Sequence, residues 1–313
     1  MRNFSGSEQF DALKKTIVDS YAGLFPVTNQ SGYKLELRGL SVDDRGLDLH
    51  DYESQKRARL QGNTWGAPML ASLVLRDPAG KVVDTMEKIR LSTIPRLTPR
   101  GSYIVSGNEY QVMNQLRRRA GIYVEKMATG DDYKAVFNLK GDGARNFELH
   151  LDTTTHRYQL QGVGGSQAGI PLYSLLHTLG VPDGELQRAW GGELLAANKV
   201  DPQRGLLRLA SKVARRTVTD AGEAGELVRT WWKGMSVDPV VTGVTHGKNE
   251  SRLTPALLLR TTARLRDVYS GSAQPDDPEN LVFKEVLSVE DMLHDKLNSP
   301  KSVADLQRML ARH

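Results

Sequence analysis

The residues best suited to chemistry are few and widely spaced. Asp276-Asp277 is the nearest approach to a carboxylate cluster. Two neighbouring aspartates can hold Mg²⁺, but Pro278 follows them, and the Asp-Asp-Pro run reads as a turn. The seven histidines, at positions 50, 150, 156, 177, 246, 294 and 313, are scattered and none has metalloprotease spacing. His150 and His156 are expected to approach each other across a strand pair, with no third ligand in view. Cysteine is absent, which excludes disulfides, thiolate-bound zinc and thiol nucleophiles. Gly162 to Gly169 is glycine-rich but lacks the closing Gly-Lys-Ser/Thr of a phosphate loop, so it reads as a flexible loop. No catalytic residue and no protein-bound metal are assigned.

Cations carry the stronger signal. Arg204, Arg208, Lys212, Arg215 and Arg216 fall at i, i+4, i+8, i+11 and i+12. On a helix spanning Leu206 to Thr217 they form one stripe, opposite Leu206, Leu209, Ala210 and Val213. Such a stripe is either a solvated face or a surface that tracks phosphates. Arg117, Arg118 and Arg119 make a second cluster, suited to capping a helix C-terminus or to meeting a nucleic-acid backbone. With 42 basic and 37 acidic residues, the chain leans only mildly towards polyanions. Trp231 and Trp232 are adjacent and cannot share a helix face, so one is expected in the core and the other at a partner contact.

The elements that position these groups are legible from periodicity. Phe10, Leu13, Ile17 and Tyr21 recur at helical spacing, and Phe25-Pro26 ends that helix. Tyr33 to Leu37 is expected to be a strand. Asp51 to Gly62 is polar and mixed in charge. Leu70 to Leu75 and Lys81 to Ile94 read as strands joined by a turn at Asp77 to Gly80. Ser102 to Val105 is another short strand. Ser106-Gly107-Asn108-Glu109 has the spacing of a capping box, which predicts a short helix through Leu116 stopped at Gly121. Tyr133 to Leu139 and Asn146 to Leu151 alternate as strands. Helices are expected at Ala224 to Trp232, Thr254 to Tyr269 and Val303 to Leu310. No apolar run is long enough to span a bilayer, and the first ten residues carry no secretory signal.

Ile94 to Val124 (IPRLTPRGSYIVSGNEYQVMNQLRRRAGIYV) resembles a stretch of the β subunit of multisubunit RNA polymerase, IPxMTxxGxFxINGxExVxxxQLxRSPGVFF. Ile94, Pro95, Thr98, Gly101, Gly107, Glu109, Gln115, Leu116, Arg118 and Gly121 fall in register without a gap. Further blocks follow in the family's order. Leu24 to Gly32 resembles FPI…SGxxxL, Gln61 to Met69 resembles RGVTYSAPL, and Asn146 to Asp152 resembles WLDFEFD. Ile170 to Gly180 resembles KLPxTxLLRALG, with Pro171 early in the helix. Asp276 to Val289 resembles DDIDHLGNRRVRSVGELL. The family's basic turn before the Leu-Pro block is replaced here by the glycine-rich segment.

The resemblance implies a mixed α/β (α+β) fold, a protrusion holding an inserted lobe. Residues 1–124 and 273–313 would form the protrusion and 125–272 the lobe. It implies a non-catalytic, β-like N-terminal part of a DNA-directed RNA polymerase, forming one wall of the DNA cleft. Arg118 would lie near the RNA–DNA hybrid and the lobe beside downstream DNA. The catalytic Mg²⁺ would sit on a β′-like partner. Other partners would be the remaining β fragment and a sigma-like specificity factor. The length and the departures at Pro99, Arg119-Ala120 and Gly162 to Gly169 point to a split, divergent bacteriophage version, in the host cytoplasm or the virion. The alternative is a free-standing DNA-binding or regulatory protein with the same domain pair. A metal-dependent nuclease would need a carboxylate cluster that is not found.

Overall fold

The computed structural model describes residues 6–46, 48–127, 132–140 and 146–311. His313 therefore lies outside the described residues. The fold is α+β, and the chain divides into two compact units, 1–116 with 286–313 and 117–285.

The first unit begins with α1 (Gly6–Ala22), whose Phe10, Leu13 and Ile17 are buried as their spacing demands. Strands β1 (Val27–Thr28) and β2 (Lys34–Val42) follow. Asp51 then caps α2 (Tyr52–Leu60) by accepting the Ser54 N–H at 3.0 Å. A helix thus forms in a stretch whose apolar periodicity is too weak to announce one; only Gln55 and Ala58 are buried on it. Strands β3 (Gly66–Arg76) and β4 (Val82–Pro95) complete an antiparallel sheet of order β1-β2-β3-β4. Ala67, Met69, Ala71 and Leu73 alternate inward from β3.

The next stretch departs from expectation. Instead of a capped helix, β5 (Tyr103–Val105) and β6 (Asn108–Tyr110) form a two-residue hairpin. Ser106 (φ 50°) and Gly107 (φ 79°) both adopt the left-handed region, as a type I′ turn requires. The β-rich Tyr-Ile-Val run continues through the turn, so the Ser-x-x-Glu spacing never meets a helix N-terminus. Glu109 turns its carboxylate instead to Ser102, Arg100 and Arg59. The Ser102 hydroxyl, and then Arg100, hold it below the usual carboxylate range. No helix follows; β7 (Gln115–Arg118) carries the chain onward.

The second unit is built on a five-stranded antiparallel sheet of order β12-β11-β10-β9-β8. Its strands are β8 (Gly121–Lys126), β9 (Tyr133–Asn138), β10 (Phe147–Asp152), β11 (Arg157–Gln161) and β12 (Ile170–Pro171). The helices follow: α3 (Leu172–Thr178), α4 (Asp183–Trp190), α5 (Gly192–Asn198), α6 (Pro202–Ala214), α7 (Ala221–Lys233), α8 (Pro239–His246) and α9 (Pro255–Tyr269). Pro171 closes β12 and precedes the first residue of α3 rather than lying within it. One large core joins sheet and helices. Phe137 stacks on Phe147 at 4.4 Å, and Leu257, Leu258, Thr261, Leu265 and Val268 all face inward from α9. Strand β8 is buried on both faces. Ile122 and Val124 enter the main core, while Tyr123 packs with Val241 and Phe283 in a small second one.

The chain returns through β13 (Lys284–Leu287) to α10 (Val289–Leu297) and α11 (Pro300–Leu310). Val289, Leu293 and Leu297 join Phe10, Leu13 and Met69 in the first unit's core. The division falls at 116/117 and 285/286, not at the expected 124/125 and 272/273. The reason is physical: β8 is hydrogen-bonded along β9 from Gly121 to Lys126. Residues 273–285 likewise belong with it, through Asp276 and Phe283.

Candidate nucleic-acid interface

Helix α6 starts from Asp201, whose side chain accepts the Gln203 N–H at 3.0 Å, with Pro202 in the first turn. Its buried face is Gly205, Leu209 and Ala210. Gly205 lies so close to Ser174 that a Cβ there would sit 1.9 Å from its hydroxyl. That packing turns Arg204 and Arg208 out to solvent and leaves Lys212 half-buried. The helix stops at Ala214, however, because Arg215 adopts a left-handed conformation (φ 55°). Three of the five expected cations therefore share the helix face, while Arg215 and Arg216 leave it. The stripe is not free of acids either, since Arg216 is ion-paired with Glu223. Arg208 donates to the Gly169 carbonyl at 3.3 Å. Arg204, Lys212 and Arg215 make no ion pair with a described residue and remain open to a polyanion.

The glycine-rich segment is a packed turn rather than a free loop. Gly162 N–H donates to the Ser166 carbonyl at 2.9 Å, and Val163–Gly165 makes one 3-10 turn. Gly164 (φ 63°) lies against the end of α6, where a Cβ would come within 2.2 Å of the Lys212 carbonyl oxygen. A shallow cleft of about 420 Å³ opens beside it, lined by Ser166, Lys212, Arg215 and Arg216 among others. Gly164→Ala is expected to destabilise this unit by about 2 kcal/mol or more, through the clash and the positive φ together. A thermal melt shows this as a lowered midpoint.

Arg117, Arg118 and Arg119 lie on and just after β7, not at a helix end, and each guanidinium is engaged. Arg117 pairs with Glu285 at 3.3 Å, and Lys140 meets the same carboxylate at 3.0 Å. Arg118 is ion-paired with Glu125 and lies over the Tyr123 ring, 3.5 Å from its centroid. Arg119 donates to the Lys284 carbonyl at 2.9 Å and pairs with Asp238 at 3.1 Å. Burial raises the Asp238 carboxyl, but the Val240 N–H and Arg119 more than offset it and hold it low. Burial pushes the Tyr123 phenol up to about 12, and its hydroxyl donates to the Arg119 carbonyl at 2.7 Å. These arginines hold the 117–126 segment to the returning chain.

Asp276 is the residue whose importance its sequence context hid. Val124 exposes its N–H and carbonyl on the side of β8 that has no strand neighbour. Asp276 satisfies both: its Oδ2 accepts the Val124 N–H at 2.8 Å and its own N–H donates to the Val124 carbonyl at 2.7 Å. Its Oδ1 accepts from Arg264 at 2.6 Å. Burial raises this carboxyl, with Val124 N–H and Arg264 acting in the opposite direction. Asp277, by contrast, makes the expected turn, accepting the Glu279 N–H at 2.9 Å. The two carboxylates therefore do not converge on a cation.

The remaining candidates separate as well. His150 lies opposite Gln159 in the strand register, three positions from His156, and is held by Glu148 at 3.0 Å. Among the described residues no group of three His, Asp or Glu side chains is placed to hold a metal. No described helix is long and apolar enough to cross a membrane. Trp232 is buried, and Trp231 is half-buried against Phe147 at 5.8 Å, so neither projects as an exposed anchor.

No family model matches the chain. Part of it is similar to a known class of protein, the β subunit of DNA-directed RNA polymerase. It is 25% identical over 138 residues to DNA-directed RNA polymerase subunit beta of Tropheryma whipplei, covering 44% of this chain and 12% of that protein. It is 27% identical over 145 residues to the subunit beta of Ureaplasma urealyticum, covering 44% and 9%. To that of Methylacidiphilum infernorum it is 38% identical over 103 residues, covering 33% and 7%. The chain thus spans about a tenth of the length of these relatives.

Proposed function

We propose that the chain is a non-catalytic, β-like subunit or segment of a multisubunit DNA-directed RNA polymerase. In this reading the two units are a protrusion and an inserted lobe, and they line one wall of the DNA cleft. The observation that carries it is the similarity to RNA polymerase β subunits, at 25% identity over 138 residues and 38% over 103 residues. The discontinuous first unit, with one continuous unit inserted, supports the architecture. The open cations Arg204 and Lys212 of α6, with Arg208 beside them and Arg215 just past the helix end, are the favoured contact to duplex DNA. Arg117, Arg118 and Arg119, being paired, would position the wall, and only their residual donors would meet phosphate. The nucleotidyl-transfer chemistry, with its Mg²⁺, would belong to a β′-like partner. The remainder of a β-like subunit and a sigma-like factor would complete the assembly. The departures at Pro99, Arg119-Ala120 and the glycine-rich turn support a divergent member, such as those of bacteriophages.

A tagged pull-down with identification of the partners tests this. Recovery of other polymerase-like subunits is expected; their absence, with tight duplex binding by the isolated chain, would favour a free-standing DNA-binding protein. Within the assembled enzyme, Arg208→Glu with Lys212→Glu should weaken DNA binding and flatten its salt dependence. The log-log slope should change by about 0.9 for each phosphate that is no longer neutralised. An unchanged slope would remove α6 from the interface.

A further inference from the structure

The first unit contains a polar groove of its own. It has a volume of about 530 Å³ and lies between the end of α2, the Gln61–Gly66 segment, β4 and the β5–β6 turn. Its polar lining includes Arg57, Arg90, Asn63, Thr64, Thr93 and Ser106, and no lining residue is a carboxylate. The neighbouring arginines, Arg59 and Arg100, share the Glu109 carboxylate as an ion-pair partner, at 3.3 and 2.9 Å. Arg57 and Arg90 have no such partner within ion-pair distance among the described residues; Arg90 donates to the Thr93 hydroxyl. The groove therefore holds two guanidiniums without an ion-pair contact, ringed by hydroxyl and amide donors; the Asp51 carboxylate at the start of α2 acts on Arg57 only from a distance.

Its walls are built before any ligand arrives. Asn63 N–H donates to the Ala58 carbonyl at 2.8 Å and Trp65 N–H to the Ile104 carbonyl at 3.0 Å. Gly107 N–H donates to the Asn63 carbonyl at 2.9 Å, and Ser106 N–H to the Thr64 hydroxyl at 3.1 Å. A Cβ at Gly107 would approach the Gly62 Cα to 2.8 Å, so the hairpin tip seats directly on the end of α2. Trp65 is buried beneath as a fixed floor. A rigid, donor-rich site with two guanidiniums and no carboxylate in its lining is complementary to a compact oxyanion, and its preorganisation lowers the cost of binding.

We propose that this groove is a phosphate-binding site, in which Arg57 and Arg90 clamp a phosphate while Asn63 and the Thr64, Thr93 and Ser106 groups hydrogen-bond to what is attached to it. The same chemistry serves a free nucleotide or the backbone of a single-stranded nucleic acid. The site is independent of the α6 face, and the test keeps the two apart. Amide and arginine-side-chain NMR spectra of the full chain are recorded with inorganic phosphate, with ATP and with decathymidylate. Saturable shifts at Arg57, Asn63 and the Trp65 indole are expected with at least one probe. ATP without decathymidylate identifies a nucleotide ligand, and decathymidylate without ATP a strand backbone. Arg57→Ala and Arg90→Ala should each weaken that binding about tenfold, the usual scale for losing a charge-assisted hydrogen bond. The α6 charge reversals should leave it unchanged. Shifts that fail to saturate with every probe, or affinity that survives both arginine substitutions in a folded protein, would overturn the proposal.

Discussion

Asp276→Ala is expected to destabilise the 117–285 unit by about 3–5 kcal/mol, the scale for removing one partner of a buried charge pair. The alanine would strand the Arg264 guanidinium, whose Nε already lacks a partner among the described residues, and would free the Val124 N–H. Asn is no remedy. Both carboxylate oxygens act as acceptors, one from Val124 and one from Arg264, and an amide offers only one acceptor and would press N–H against a donor at the other. Asp276→Asn should therefore cost about 1–3 kcal/mol, nearer to alanine than to wild type. Urea unfolding followed by tryptophan fluorescence reads this unit well, since Trp190, Trp231 and Trp232 all belong to it. A loss below about 1 kcal/mol for alanine would show that Asp276 does not pin the strand edge.

His246 is expected to make the same unit acid-sensitive. Its Nδ1 lies 2.7 Å from the Thr245 hydroxyl and its Nε2 3.1 Å from the Thr261 hydroxyl. Both hydroxyls also lie within hydrogen-bonding reach of carbonyls one turn back, so a neutral ring with one N–H requires one threonine to donate to it instead. Burial, then Arg264 and Arg260, bring the imidazole from 6.5 down to about 4, with Glu250 acting against them. The unfolded chain binds this proton more readily than the folded one. Stability is therefore complete above about pH 6.5 and falls as the pH drops towards 4, by about 3 kcal/mol in all. His246→Gln should abolish that part of the slope. Denaturant midpoints measured between these limits check it; equal slopes in both proteins would exclude His246 as the source.

Much of the fold was legible because its signals are periodic. The Phe10, Leu13 and Ile17 spacing and the Leu257 to Val268 stripe both survive intact, since each buries one helical face. Strands β3, β9 and β10 alternate or run apolar as their burial requires. Three features were not legible. Ser106-Gly107 fits a capping box and a two-residue turn equally well, and the pairing of Tyr103–Val105 with Asn108–Tyr110 decides between them. Helix α2 has a strong cap but almost no apolar face. The α6 stripe looks longer in sequence than in space, because the left-handed Arg215 ends the helix one residue after Ala214. Among the candidate site residues, sequence identified the cations but not their partners. Glu285, Asp238, Glu125 and Glu223 lie 7 to 168 positions away from the arginines they meet. The match of charge across such distances has no local signature.

The discontinuous first unit also sets an order of assembly. Its core needs α10 beside α1, and Asn298 reaches back to Ser20 across 278 positions. Closing so long a loop is entropically costly while the intervening chain is loose, although the cost grows only slowly with length. The 117–285 unit is continuous and can collapse on its own as it leaves the ribosome. Once folded, it holds its own two ends together, Arg117 meeting Glu285 at 3.3 Å, in place of a loose loop. Protection of its amides in pulse-labelled hydrogen exchange should thus precede that of α1, so that the segment interrupting the first unit in sequence folds ahead of it.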